Sequence, residues 1–181
     1  FLQHRDKEHL VKTMMANYIL EGIYFYSGFM FFYNLGRMGK MSGSAQEIRY
    51  INRDENTHLW LFRSILLELK KEEPELFGPE QVEVYRSMLK RGVEEEIAWA
   101  EYVLGDRIEG LTLEMISDYI HYLGNLRATA LNFAPLYDGF SDVPESMKWV
   151  NVYSNANLIK TDFFEAKSTA YAKSSAIEDD L

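Results

Sequence analysis

Apolar residues recur every three or four positions over most of the chain, the spacing of one face of an α-helix. The first such run extends from about Asp6 to Leu35 and reads as one long helix, stopped by Gly36 and Gly39. Ser44-Ala45-Gln46-Glu47 has the form of a capping box, with Ser44 as N-cap and Glu47 reaching back to it. The helix it opens carries Ile48, Ile51, Leu59, Phe62, Ile65, Leu66 and Leu69 at near-helical spacing and should run to about Lys71, before Pro74. Pro79 suits the first turn of a third helix ending near Gly105, because its missing amide would have no partner there anyway. Thr112 is the expected N-cap of a fourth, running to about Asn132. After Pro135 the periodicity weakens, and Tyr137 to Asn157 should hold turns or short helical pieces around Pro144 and Trp149. From about Lys160 the chain is polar and closes on Glu178-Asp179-Asp180-Leu181, which reads as a mobile tail. No stretch reads as a strand and no segment repeats. The expected architecture is all-α over 1–159, with a tail over 160–181.

Composition narrows the chemistry. At 181 residues the chain is one domain or part of one, and 47% hydrophobic with 14% aromatic residues is enough for a large core. The formal charge of −9 argues against a nucleic-acid surface. The absence of cysteine excludes disulfides, zinc–thiolate sites and iron–sulfur clusters. No secretory signal is recognisable. The most apolar stretch, Tyr18 to Leu35, contains Glu21 with several Gly, Ser and Asn and is rich in Tyr and Phe rather than Leu and Val. It therefore reads as a buried core helix and not a membrane span, and the cytoplasm is the expected location.

Arg53-Asp54-Glu55-Asn56-Thr57-His58 contains a Glu-x-x-His pair, which a helix places on one face. A carboxylate and an imidazole so placed can bind one metal ion together. Glu21, among Leu20, Ile23, Phe25 and Phe29, is a second candidate, because a buried ionised carboxylate requires a cation, a proton or a metal. Phe25 and Phe29 follow it at steps of four and would wall the same face with groups that exclude water and resist oxidation. Asp54 could accept a hydrogen bond from a ligating imidazole. The bland readings are a core Glu paired with Arg and a solvated charge run with an incidental His. His4 and His9 are expected to be exposed, His121 to be a structural hydrogen-bonding residue, and Glu94, Glu95 and Glu96 to face mostly solvent.

These residues sit in longer stretches that resemble one family. The stretches are Leu20-Glu21-Gly22-Ile23-Tyr24-Phe25-Tyr26, Ile48 to Leu59, Trp99-Ala100-Glu101-Tyr102 and Asp118 to Arg127. Their order and spacing resemble the C-terminal half of the radical-generating small (beta) subunit of class I ribonucleotide reductase. The resemblance implies half of a ferritin-like di-metal carboxylate bundle. It implies that Glu21, Glu55 and His58 are metal ligands and that Asp54 links a ligating histidine to a buried Trp. It also implies that Phe25, Phe29 and Ile51 surround the radical site. In the tail, Tyr171 matches the tyrosine that relays the radical between subunits and Glu165 the acidic residue that assists it. The cofactor implied is a dinuclear metal centre, Fe/Fe first, with Mn/Fe and Mn/Mn left open. The partners implied are the large (alpha) subunit, which holds the nucleotide, and a second small subunit in a homodimer.

The family's first half supplies another carboxylate, another Glu-x-x-His, the Trp and the radical Tyr, and none of these can be placed here. The full di-metal site therefore requires a complementary N-terminal half, from another polypeptide or an upstream region. A ferritin-like di-metal oxidase or monooxygenase would use the same ligands but lack the tail. A metal-free helical interaction domain would not bring Glu21, Glu55 and His58 together.

Overall fold

The computed structural model describes residues 6–154. The first apolar run is not one helix. Helix α1 (Lys7–Ile19) passes into a π-turn (Leu20–Tyr24), and α2 (Tyr26–Arg37) resumes beyond it. Asp6 caps α1 by accepting from the His9 amide at 2.8 Å. The next helix, α3 (Ser42–Glu72), begins three residues earlier than the capping box would set it. Its N-cap is Met41, in the left-handed region at φ 51°, and Ser44 already lies inside the helix. The short turn brings Ala45 against Gly36, where a Cβ would stand 2.6 Å from that of Ala45, so only glycine lets the two helices approach.

A 3₁₀ turn (Pro74–Phe77) leads to α4 (Pro79–Val103), with proline in its first turn as expected. Helix α5 (Leu113–Ala130) is capped by Thr112, whose Oγ1 accepts from the Met115 amide at 3.3 Å. The weakly periodic segment beyond it is held by one buried side chain. Asn125 donates to the carbonyls of Tyr137 (2.8 Å) and Phe140 (3.0 Å) and accepts from the amides of Leu136 (2.7 Å) and Tyr137 (2.9 Å). A second 3₁₀ turn (Glu145–Val150) runs into the short α6 (Asn151–Ser154).

Helix α2 packs along α3 and α4 along α5, while α1 and the π-turn lie against α3 and α4. Met15, Ile23, Met30, Leu66, Leu89, Val93, Ile116 and Ile120 are almost wholly covered at their meeting. Each such side chain contributes roughly 1.5–3 kcal/mol when fully removed from water. Other large apolar residues lie outside this core: Leu20, Phe25, Ile51, Trp60, Leu61, Trp99 and Tyr102 are exposed. Ile51, expected on the packed face of its helix, is among them. Among the described residues no helix is long and apolar enough to cross a membrane, and none forms a strand.

Candidate metal centre

Glu21 projects from the π-turn, and Glu55 and His58 from the middle of α3, one turn apart. One oxygen or nitrogen from each lies within 4.8 Å of the others. His58 Nδ1 is 2.7 Å from Glu55 Oε2 and 3.9 Å from Glu21 Oε2. The two carboxylates are largely covered, at 17% and 14% side-chain exposure, whereas the imidazole is 51% exposed. The cluster thus opens to the surface on its histidine side.

Its electrostatics are those of a negative site short of cations. Burial pushes the Glu21 carboxyl up to about 7, and a hydrogen bond with Glu55 and the charge of that residue push the same way, against His58. The hydrogen bond to Glu55 raises His58 above its ordinary value, helped by the charges of Glu55, Glu21 and Asp54 and opposed by desolvation. Glu21's ion-pair partner is His58; among the described residues neither carboxylate pairs with Lys or Arg. A carboxylate pair with one imidazole is a donor set suited to Fe or Mn, so the residues fit the group expected of them.

The remaining sequence-derived residues divide. Phe29 is buried and Phe25 stacks on it with ring centroids 6.0 Å apart, but Phe25 and Ile51 lie at the surface. Asp54 does not hydrogen-bond His58. Its exposed carboxylate accepts from Arg53 Nε (3.2 Å) and Nη2 (3.1 Å). Asp54 is offset from Glu55 by about 100° around the helix axis, and Glu55 takes the imidazole instead. His121 is structural: its Nδ1 donates to the Ser117 carbonyl at 2.8 Å and its ring packs on Tyr137 and Phe140. His4, Glu165, Tyr171 and the acidic end lie outside the described residues.

Glu96 departs from its expected solvent exposure. It is 2% exposed, and burial raises its carboxyl to about 7 against the hydrogen bonds from Ser27. Its neighbours Glu94 and Glu95 do face solvent. Buried Tyr85, Leu89, Val93 and Ala100 lie on the same helical stripe, and that spacing points to position 96 inside a run of three glutamates.

Comparisons with known proteins identify the family of the chain. Residues 1–144 match the family described as ribonucleotide reductase, small chain. A ribonucleoside-diphosphate reductase subunit beta from Treponema pallidum (strain Nichols) is 69% identical over 172 residues, 95% of this chain and 49% of that protein. Its counterpart from Halalkalibacterium halodurans is 40% identical over 97% of this chain and 50% of that protein. The ribonucleotide reductase R2 subunit from Clostridium botulinum superposes with a TM-score of 0.81 at 47% identity, covering 85% of this chain and 48% of that one. The chain spans about half the length of the curated relatives it matches.

Proposed function

Since the chain belongs to the ribonucleotide reductase small-chain family, with the all-α fold of a ferritin-like bundle, we propose that it forms the C-terminal half of a subunit that generates the radical for ribonucleoside-diphosphate reduction. The observation that carries this reading is the convergence of Glu21, Glu55 and His58 beside exposed Leu20, Phe25 and Ile51. The ligands are gathered, and the wall around them is left open on the side where a complementary half would pack. A dinuclear centre held between the two halves, Fe/Fe or a pair containing Mn, supplies the oxidising equivalent when bound.

The rest is work for side chains of this chain. Glu21, Glu55 and His58 hold one of the two metals. Phe29 and Phe25 exclude water and offer no easily oxidised group. Asp54, one position from a ligand and facing outward, accepts from a histidine of the complementary half. In the tail, Tyr171 relays the radical to the large subunit, with Glu165 assisting. The acidic end, closing on Leu181, docks on that large subunit, which holds the nucleotide. The assembled small subunit is a homodimer.

Metal analysis of the chain combined with its complementary half tests the assignment. Stoichiometric Fe or Mn is expected, and a complemented protein that binds neither would sink it. Tyr171→Phe should leave metal loading and docking intact, because the ring is kept, and abolish nucleotide reduction. Wild-type turnover by that variant would remove Tyr171 from the relay.

A further inference from the structure

The π-turn that carries Glu21 is held at its middle and just beyond its C-terminal end by side chains of other helices. Helix α2 starts just beyond the turn, with Phe25 as an N-cap that makes no side-chain bond. Amides in the first turn of a helix have no intrahelical partner. Glu96, from α4, supplies one: its Oε1 accepts from the Ser27 amide at 2.9 Å. Within the turn, the Gly22 carbonyl accepts from Arg127 Nε of α5 at 3.1 Å. The same guanidinium donates through Nη2 to the Tyr26 hydroxyl at 2.9 Å. Arg127 is itself tied down, since its carbonyl accepts from the Tyr18 hydroxyl at 3.2 Å.

The close fit depends on the glycine. A Cβ at Gly22 would stand 2.9 Å from Arg127 Nε and 2.9 Å from Leu59 Cδ2. Leu59 follows His58 in α3, so one contact seats the turn against both the guanidinium and the helix bearing the other two ligands. In an unbroken α-helix the Ser27 amide would bond to Ile23, and Gly22 would accept from the Tyr26 amide. Buried Glu96 would then lose the Ser27 amide, at the cost of a buried unpaired carboxyl. Glu96 therefore favours the π register over the α register, and Arg127 ties the turn to α5.

We propose that Arg127 and Glu96 are positioning residues, which hold the Leu20–Tyr24 turn in the register that aims the Glu21 carboxylate at Glu55 and His58. The inference rests on the metal-site reading above, and its test separates the two. Mn(II) binding is measured on the complemented protein, and amide exchange over residues 20–27 on the metal-free protein. Arg127→Met and Glu96→Met should weaken Mn(II) binding by roughly ten- to a hundredfold, the usual effect of losing a group that orients a ligand. Exchange over the turn should quicken by about tenfold or more as local opening becomes easier. Glu96→Gln should restore both readouts to within about twofold, because its amide oxygen still accepts from Ser27. Leu89→Ala, a core truncation elsewhere on α4, should lower stability and leave affinity unchanged. If Arg127→Met does not fold, Arg127→Lys is read in its place, since a lysine cannot serve Gly22 and Tyr26 together. Unchanged Mn(II) binding in the Met variants, or equal losses in Glu96→Gln or Leu89→Ala, overturns the proposal. If the wild type binds no Mn(II) or Fe(II), the metal reading fails, and exchange alone decides the grip: unchanged exchange in the Met variants overturns it.

Discussion

Helix α5 buries seven of its 18 residues: Ile116, Tyr119, Ile120, Leu123, Gly124, Asn125 and Ala128. Helix α3, at 31 residues, buries four: Ala45, Asn52, Leu59 and Leu66, each seven positions after the last. The first is packed broadly by partners within this chain. The second packs through that line and through the half-buried Ile48, Phe62 and Leu69, and turns Ile51, Trp60 and Leu61 outward, on the helix that carries Glu55 and His58. The candidate ligands of α3 and the buried face of α5 can therefore be probed by separate substitutions.

Substitutions on the two helices should separate these roles. Glu55→Ala or His58→Ala should abolish metal binding by the complemented protein, read by metal analysis. His58→Ala, at the half-exposed end of the cluster, should shift the stability of the chain alone in urea by no more than ~0.5 kcal/mol. Ile120→Ala should do the opposite, costing about 2–5 kcal/mol in the same unfolding assay. Large stability losses at both positions, or at neither, would break the comparison.

The covered side contains a buried carboxyl. The Glu96 carboxyl is raised from 4.5 to about 7, so the fold binds its proton more tightly than the unfolded chain does. Its contribution to stability is complete below about pH 4.5 and is lost as the pH climbs through about 7. The amount is on the order of 3 kcal/mol at most, at 1.36 kcal/mol per pKa unit. Glu96→Gln should flatten that part of the stability curve. Equal slopes for the two proteins between pH 5 and pH 8 (~3 units, spanning the raised value) would count against it.

The smallest effect lies on the exposed edge. Trp60→Ala with Leu61→Ala should leave the chain's own stability within ~0.5 kcal/mol. Binding to the complementary half should weaken by roughly 1–3 kcal/mol, as for anchors in an interface. Isothermal titration would show it, and undiminished affinity would place the interface elsewhere.

The covered side was also the legible one. Pro79 and Thr112 mark where α4 and α5 begin, because each satisfies a local requirement of a helix start. The Ser44 box also met a local rule, but packing of Ala45 on Gly36 takes the helix start back to Ser42, and tertiary contact prevails. Ile51 matched the helical period and lies outside, because period alone does not say whether the covering surface belongs to the same chain. Asp54 was adjacent in sequence to the right residues and points away from His58. The convergence of Glu21, Glu55 and His58 was readable because Glu-x-x-His and a carboxylate among aromatics are each costly without a purpose. The π-turn left a fainter trace. Tyr18, Gly22 and Tyr26 are buried at two successive steps of four, as are Ile19, Ile23 and Ser27. Eight residues overrun two α-helical turns by about 80°. Both stripes can face one core only if the helix widens there.

That widening makes the length of the chain critical at one point. Adding or removing a single residue turns everything beyond it by about 100° about the axis of a regular helix. A loop such as the one between α4 and α5 can absorb such a change, but Leu20–Tyr24 cannot. Losing one residue there would restore a regular helix and undo the bulge that seats Gly22 against Arg127 and Leu59. Single-codon insertions and deletions in this short window should be tolerated far less well than substitutions at the same positions.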